Sequence, residues 1–364
     1  MPHEVPIPGA IPSPKDYRAD IVQSAMLASA APIELPAALQ TDFQKLGILY
    51  QRLEPACVSH AVAELMKLWY FLKTGQIVDF SPRFLDVMYQ KIMNIDPSTD
   101  IGGRIPQVIF KIAQNYGCAT ESTVLNDTTL SIPSYRDQAV LTPAAMAEAS
   151  QYKIPGYVPV SIDSYAIKQN IALYGGVAML MKIGSEWWTA PDGSISWAQA
   201  DIDPVRPPQN VISGHEIVVS GWNASDLMHL VNSWSTAWAQ NGESDFIFGE
   251  WQPYIIEAWA IADVPVDVLK EVQSLPAPSE FKHTFTSDIV FGQRSDEVRA
   301  LQIALAIAGF FKYPSITGYF GAATAAAVLQ YQIANSVAPM PELMYLNGHR
   351  CGPATRASLN SRFS

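Results

Sequence analysis

The sequence predicts an α+β protein, in which a helical lobe is followed by a β-rich lobe and then by a small helical domain. Three observations support this class. Helical periodicity starts at Cys57, apolar runs typical of strands occur between residues 157 and 248, and helical patterns return after residue 296. A length of 364 residues also favours two domains over one.

The first predicted helix begins at Cys57 and ends before Gly75, a residue type favoured just after helix C-termini. Its apolar residues form two adjacent faces, with Ala61, Leu65, Leu68 and Leu72 on one and Val62, Met66 and Trp69 on the other. A helix that is apolar over most of its circumference is expected to be buried. A second helix is predicted over Ile105–Tyr116, ended by Gly117.

The β-rich part is predicted from five apolar runs, which are Tyr157–Ile162, Gly176–Ile183, Glu216–Trp222, Leu227–Asn232 and Phe246–Phe248. The polar stretch Asn223–Asp226 separates two of these runs, a pattern typical of a β-hairpin.

The chain is predicted to divide into four parts. Residues 1–40 are rich in Pro and Ala and are expected to form an extended N-terminal lead-in, and residues 41–264 contain the main α+β domain. Residues 265–286 lose periodicity and are predicted to be a linker. The last part, 287–364, is a small domain with helices expected at Asp296–Gly309 and Gly321–Ala334.

Composition excludes several classes of protein. Hydrophobic residues make up 49% and charged residues 16%, which excludes a disordered chain. No apolar run approaches the roughly 18–20 residues that a membrane span needs, so no membrane partner is expected. The net charge is −11 and no basic patch is visible, so no nucleic-acid partner is expected. From Phe285 onward the net charge is +2, against −13 for the rest, which again indicates two regions of different character.

Cofactor, disulfide and targeting signals are weak. Cys57, Cys118 and Cys351 are too few and too scattered for a disulfide scaffold. The spacing of His215 and His229 does not fit a metal site, and no phosphate-binding loop is present, so no cofactor and no metal are expected. The N-terminus lacks a basic region followed by an apolar one, so no signal peptide is expected, and localisation stays open between the cytoplasm, export and delivery with a phage.

Two residues suggest nucleophilic catalysis. A thiol at a helix N-terminus experiences the positive end of the helix dipole, which favours thiolate, so Cys57 is a candidate nucleophile. His215 opens a predicted strand and follows Gly214, a residue type that permits close approach of another chain. Each residue also has a structural interpretation, since buried cysteines and lone histidines are most often parts of a core.

The predicted hairpin brings a third group to His215. A four-residue turn would pair Trp222 with Leu227 and would place His215 opposite Trp234, with Asn232 on the same face of the sheet. An asparagine there can hold the imidazole in one tautomer, and Trp234 would shield that hydrogen bond from water.

Gln51 lies six residues before Cys57. Its amide is positioned to donate into the same pocket as the Cys57 backbone N–H, which would make a two-donor oxyanion hole. The competing interpretation is a glutamine that faces solvent.

These motifs, in this order, resemble the papain-like cysteine peptidases, and the bacterial and phage branch most of all. The motifs that carry the resemblance are Gln51 to Cys57, Gly102–Gly103, Gly214–His215 and Asn232-Ser-Trp234, within about residues 12–262. The resemblance implies a two-lobed fold, with Cys57 as nucleophile, His215 as general base and then acid, Asn232 as its orienting partner and Gln51 as oxyanion donor. It also implies that Gly102 and Gly103 pair with the substrate backbone.

The sequence departs from that family at several positions. Val58 stands where a tryptophan is common, and Glu54 stands where the family has a disulfide-forming cysteine. Glu54 is therefore expected to oppose thiolate formation at Cys57. Ser235 and Ala239 occupy positions where glycine is usual.

Residues 287–364 resemble a small three-helix peptidoglycan-binding domain. The resemblance rests on Val298 to Gln302, on Thr317 to Gly321 with Thr324, on Gln332, and on Gly348 to Gly352 with Thr355. It implies peptidoglycan as a partner. Tyr319, Phe320 and Tyr331 are candidates to stack on a sugar, although core packing is the role that the sequence favours for them.

Three functions remain open at this point. The first is a cysteine endopeptidase acting on a protein or peptide substrate. The second is a lysin that cuts the stem peptides of peptidoglycan. The third is a catalytically silent relative that serves as a binding or structural protein.

Overall fold

A computed structural model describes residues 9–29, 33–41, 43–52, 54–127, 129–184, 187, 207–208, 210–211, 213–264, 274–313 and 315–364. Residues 1–8 and 30–32 of the predicted lead-in and residues 265–273 of the predicted linker lie outside this range. Within the described part the structure mixes helices with antiparallel sheet, as the predicted α+β class requires.

The helices, numbered in chain order, are α1 (Tyr17–Ser29), α2 (Phe43–Leu46), α3 (Cys57–Thr74), α4 (Pro82–Ile92), α5 (Pro106–Asn115), α6 (Ile132–Tyr135), α7 (Pro143–Ala149), α8 (Ser164–Tyr174), α9 (Phe248–Trp251), α10 (Asp296–Ile307), α11 (Ala322–Ala334), α12 (Met340–Leu346) and α13 (Pro353–Phe363). None of the helices in the described part of the chain is long and apolar enough to cross a membrane.

The strands are β1 (Leu39–Gln40), β2 (Tyr157–Pro159), β3 (Val177–Ile183), β4 (Ser213–Trp222), β5 (Met228–Val231), β6 (Glu243–Phe246), β7 (Ile255–Ile261), β8 (Ile289–Val290) and β9 (Arg350–Cys351). The main sheet runs in the order β2-β7-β3-β4-β5-β6, and β1 pairs with the end of β4. All of these pairings are antiparallel.

The described chain forms two structural units. The first comprises residues 1–13 and 33–263, and the second comprises residues 14–32 and 264–364. In the first unit α3 packs against α4 and α5 on one side and against β4 on the other. The first twelve residues of α3, from Cys57 to Leu68, are buried, as its apolar circumference predicts. Gly75 ends α3 with φ +73°, a conformation that suits glycine.

The expectation of a wholly extended lead-in was wrong. Residues 17–29 form α1, and Tyr17 and Ile21, one helical turn apart, are buried in the core of the second unit. Leu275 and Phe285, which lie within the predicted linker, belong to the same core. The short-range pattern of these segments is weak because their helical and buried states depend on packing against α10, α11 and α13.

Candidate active site

Cys57 is the first residue of α3 and is fully buried, with 0% of its surface exposed. Burial raises the pKa of its thiol to about 11, and backbone hydrogen bonding from Glu216 and Gly9 opposes this effect only in part. The expectation that the helix dipole would lower this pKa is therefore wrong for the arrangement in this structure, because desolvation outweighs the dipole.

His215 lies in β4, and its Nε2 is 2.8 Å from Oδ1 of Asn232. A carbonyl oxygen only accepts hydrogen bonds, so Nε2 carries the proton and Nδ1 presents a free lone pair. Nδ1 has no hydrogen-bond partner among the residues that the structure describes. Burial lowers the pKa of His215 to about 4, although the bond to Asn232 opposes this, and the imidazole is accordingly neutral at pH 7.

The hairpin reaches this geometry through a register that differs from the predicted one at the turn. Trp222 pairs with Met228 rather than with Leu227. The register shifts between Val219 and Gly221, and beyond this irregularity Val219 faces Leu230, as the predicted pairing requires. A β-bulge thus absorbs the extra turn residue and restores the face that His215 and Asn232 share.

Aromatic rings surround the His215 imidazole. The Trp234 ring centroid lies 4.7 Å from that of His215, and the Trp187 centroid lies 5.9 Å from both. The indole of Trp238 donates to the Trp187 carbonyl oxygen at 3.1 Å. Sequence reasoning missed Trp187 and Trp238, for which the only available signal was the high count of nine tryptophans. The rings exclude water from the His215–Asn232 hydrogen bond, which strengthens it.

Gln51 is buried rather than facing solvent, with 1% of its surface exposed. Its Oε1 accepts from the Ser233 hydroxyl at 2.9 Å, and its Nε2 donates to the Glu54 carbonyl oxygen at 3.1 Å. Ser233 follows Asn232 directly, so the same loop positions the orienting asparagine and the Gln51 amide. An amide nitrogen carries two N–H donors, of which this contact to Glu54 uses one.

An N-terminal segment, residues 9–13, lies across the residues predicted to bind substrate. The Arg104 N–H donates to the Gly9 carbonyl at 2.7 Å, and the Ile11 N–H donates to the Arg104 carbonyl at 2.8 Å. On its other side the Ala10 N–H donates to the Gly214 carbonyl at 3.3 Å. The segment therefore hydrogen-bonds as an extended peptide would, on both sides, next to the buried thiol.

Gly102 and Gly103 have positive φ angles of +83° and +89°, which favour glycine. Glycine is also required sterically, because a Cβ on Gly102 would overlap the Pro55 side chain. A Cβ on Gly103 would come within 2.8 Å of Cδ1 of Ile11. The two glycines thus let the chain pass close to the residues before Cys57 and to the N-terminal segment.

Buried ion pairs hold the glycine strip, Gly102–Gly103, in place. Arg104 pairs with Asp86 at 2.7 Å and with Asp100 at 2.9 Å. Arg136 pairs with Glu54 at 2.6 Å and also donates to the Asp100 carbonyl oxygen. Burial and the nearby Asp86 raise the pKa of Glu54, whereas the bond to Arg136 lowers it and favours the ionised carboxylate. Because the Glu54 carboxylate is bound by Arg136, it links the segment before Cys57 to the glycine strip rather than acting as an isolated negative charge.

Two further positions, at which the sequence departs from the pattern that it resembles, have an unusual backbone conformation. Ser235 and Ala239 have φ angles of +68° and +44°, in the left-handed region. Glycine adopts this region without strain, whereas residues with a Cβ do so at some cost. Both positions keep the conformation that a glycine would favour.

In the second unit, the three candidate aromatic residues differ in exposure. Phe320 and Tyr331 are 0% and 1% exposed and belong to the core, which excludes them from stacking on a ligand. Tyr319 is 40% exposed, and the Arg294 guanidinium lies 5.1 Å from its ring centroid. The motif glutamine Gln302 bonds Thr324 at 2.9 Å and receives the Gly318 N–H at 2.8 Å, so these motif residues have a structural role.

No cluster of potential metal ligands occurs among the described residues. The candidate site comprises side chains and backbone groups of Cys57, His215, Asn232, Gln51, Trp234, Gly102, Gly103 and Gly214.

Comparison with solved structures shows the fold. Xylellain, a cysteine protease from Xylella fastidiosa, superposes with a TM-score of 0.58 at 16% identity, over 73% of this chain and 99% of xylellain. Digestive procathepsin L 3 from the larval midgut of Tenebrio molitor matches with a TM-score of 0.48 at 16% identity, over 68% of this chain and 78% of that chain. No curated protein matches the chain by sequence.

A family model matches the C-terminal region. Residues 294–339 match the putative peptidoglycan binding domain. The matched residues include α10 and α11 and the loop that carries Tyr319. The chain thus combines the fold of the papain-like cysteine proteases with a C-terminal segment similar to the peptidoglycan-binding domain family.

Proposed function

We propose that this protein is a cysteine peptidase, with Cys57 as nucleophile, His215 as general base and acid, and Asn232 as the residue that orients the imidazole. The observation that supports this most directly is the 2.8 Å bond from His215 Nε2 to Asn232 Oδ1. This bond directs the ring so that Nδ1 is the proton acceptor.

The proposed reaction has two stages. Nδ1 of His215 takes the proton from the Cys57 thiol, and the sulfur attacks the peptide carbonyl carbon. The resulting oxyanion is bound by the Cys57 backbone N–H and the Gln51 amide. Collapse breaks the C–N bond, and His215 gives its proton to the leaving amine. In the second stage His215 deprotonates water, which hydrolyses the thioester and releases the carboxylic acid product and the free thiol.

Gly102, Gly103 and Gly214 are proposed to contact the substrate backbone. In support, the neighbouring Arg104 and Gly214 itself already bind an extended peptide, the N-terminal segment. Because that segment covers the thiol, the reactive form is one in which it has moved away. The substrate is accordingly a protein or a peptide in extended conformation.

The test is covalent labelling by an epoxysuccinyl inhibitor, followed by intact mass and peptide mapping. We expect single labelling at Cys57, abolished in Cys57→Ala and strongly slowed in His215→Ala and Asn232→Ala. Cys118→Ala is the matched control and leaves labelling unchanged. Labelling that is indifferent to His215, or that spreads to Cys118 and Cys351, would refute the proposed triad and favour a catalytically silent protein.

A second candidate is a lysin that cuts peptidoglycan stem peptides, and the match of residues 294–339 to the peptidoglycan-binding family favours it. Release of dye from labelled cell walls, compared with hydrolysis of a labelled protein by the same preparation, separates the two. Dye release that requires Cys57, without protein hydrolysis, would establish the lysin. Protein hydrolysis without dye release would exclude it.

A further inference from the structure

Two carboxylates share one face of the main sheet beside the candidate active site. Glu216 follows His215 in β4, so its side chain points to the opposite face of the sheet. Leu180 of β3 faces Glu216 on one side and Glu257 of β7 on the other. Residues directly opposite one another project to the same face, which brings the two carboxylates to either side of Leu180.

Glu216 has no structural reason to be an acid. It is fully buried, and neither of its carboxylate oxygens has a hydrogen-bond partner among the described residues. A buried polar group without a partner costs free energy that an apolar residue would avoid. Burial, and then repulsion from Glu257, raises the pKa of Glu216 well above its usual value. Within the part of the chain that the structure describes, the Glu216 carboxylate therefore has neither an ion-pair partner nor a hydrogen-bond partner.

The pair lies next to the nucleophile. The Glu216 backbone forms a hydrogen bond with the Cys57 thiol, and the charge of the Glu216 carboxylate raises the pKa of that thiol. Glu257 accepts the Ser13 N–H at 2.9 Å. Ser13 belongs to the N-terminal segment, whose Ala10 pairs with Gly214. The same segment thus covers the thiol and contacts Glu257, so displacing it would uncover the thiol and this end of the carboxylate pair.

We propose that Glu216 and Glu257 form a specificity site that binds an Arg or Lys side chain of the substrate, close to the bond that Cys57 attacks. This inference rests on the proposed peptidase function. A guanidinium offers five N–H donors, which suit two carboxylates, and its charge supplies the partner that Glu216 lacks. A neutral side chain would leave the Glu216 carboxylate without a partner, and an acidic one would add repulsion.

The test uses peptidyl probes that carry one thiol-reactive group and differ at a single residue. Arginine is compared with citrulline, which has a closely similar shape without the charge, and with glutamate, at each of three successive positions. The rate of Cys57 labelling is measured in the full chain and in Gly9→Ala, whose added Cβ would overlap the Pro55 carbonyl oxygen and loosen the N-terminal segment.

At one position we expect the arginine probe to react about tenfold or more faster than the citrulline probe, as for one charged hydrogen bond. Glu216→Gln and Glu257→Gln each reduce this ratio. Glu148→Gln is the control, since that carboxylate bonds Thr120 and contacts no candidate site residue. The variants are compared at equal folded fraction, measured by circular dichroism.

Two outcomes overturn the inference, and they differ from each other. If every probe labels Cys57 at a similar rate, the specificity site is refuted while the peptidase remains. If no probe labels Cys57 in Gly9→Ala although iodoacetamide does, the peptidase function fails, and the specificity site fails with it.

Discussion

Burial sets the protonation of the candidate catalytic residues. It raises the pKa of Cys57 to about 11 and lowers the pKa of His215 to about 4, so both groups are neutral near pH 7. A thiolate–imidazolium pair needs the opposite shifts, which water or a polar substrate entering the site would favour. The arrangement in this structure is therefore that of a covered, unreactive thiol.

The lowered pKa of His215 predicts a pH dependence of stability. The folded state keeps this imidazole neutral, whereas the unfolded chain protonates it below pH 6.5. Its contribution to the free energy of unfolding is present above pH 6.5 and is lost as the pH falls through about 4, by about 3 kcal/mol in total. In urea titrations between pH 4 and 7, His215→Gln should lack this part of the loss.

His229 provides a contrast of opposite sign. Despite burial, hydrogen bonds to Asp245 and Glu243 raise its pKa to about 9. Its contribution to the free energy of unfolding is present below pH 6.5 and is lost as the pH rises through about 9. His229→Gln should therefore change the loss of stability at alkaline pH and not the loss at acidic pH. If wild type and His215→Gln lost the same free energy of unfolding between pH 7 and pH 4, the assignment for His215 would be contradicted.

At the scale of elements, the N-terminal segment restricts access to Cys57. Gly9→Ala places a Cβ against the Pro55 carbonyl oxygen. Overpacking of this kind costs about 1–3 kcal/mol, so iodoacetamide should alkylate Cys57 about 10- to 100-fold faster than in wild type. Peptide mapping by mass spectrometry measures the rate, with Cys118 and Cys351 as internal references.

Gly249→Ala is the matched control for that experiment, because a Cβ at Gly249 meets nothing within 4 Å. Its alkylation rate should equal that of wild type. If Gly9→Ala also alkylates at the wild-type rate, the segment does not control access to the thiol.

The loop before Cys57 is held by an ion pair rather than a disulfide. Arg136→Leu leaves the Glu54 carboxylate buried and unpaired, which should reduce the free energy of unfolding by about 3–5 kcal/mol. The double variant Glu54→Leu/Arg136→Leu removes both charges. Its loss of unfolding free energy should be smaller than the sum of the losses in Glu54→Leu and in Arg136→Leu. Urea unfolding of all four proteins measures this coupling, and strict additivity would show that the pair does not stabilise the loop.

At the scale of the whole molecule, the chain joins a papain-like unit to a unit that contains the peptidoglycan-binding match. In the second unit Tyr319 is exposed and stacked with Arg294, whereas Phe320 and Tyr331 are core residues. Tyr319 is thus the aromatic residue of these three that is able to contact a sugar or peptide.

We expect the full chain to co-sediment with purified peptidoglycan, and Tyr319→Ala to weaken this binding about tenfold, as loss of about 1.4 kcal/mol would. Tyr313, 47% exposed, is the matched control, and Tyr313→Ala should bind as wild type does. Equal binding by the two variants would exclude Tyr319 as a contact.

Much of the local structure follows from the sequence alone. The bounds of α3 and α5, the glycine that ends α3 and the positions of β3, β4 and β5 depend on spacings of two to four residues, which neighbours along the chain determine. The placement of Asn232 beside His215 was also predictable, because only 17 residues and one turn separate them. The pairing at the turn was wrong by one residue, since a bulge is not encoded in alternation of apolar and polar residues.

Tertiary structure decided the remaining features. The contact of Ala10 with Gly214, the contact of Ser13 with Glu257 and the pair of Glu54 with Arg136 join residues that lie 82 to 244 positions apart. No periodicity in a single sequence reports such distances, because these contacts form only when separate elements pack together. The sequence therefore determined which chemical groups are available. Packing determined that the thiol is covered and that Glu216 is buried beside it, with no hydrogen-bond partner among the described residues.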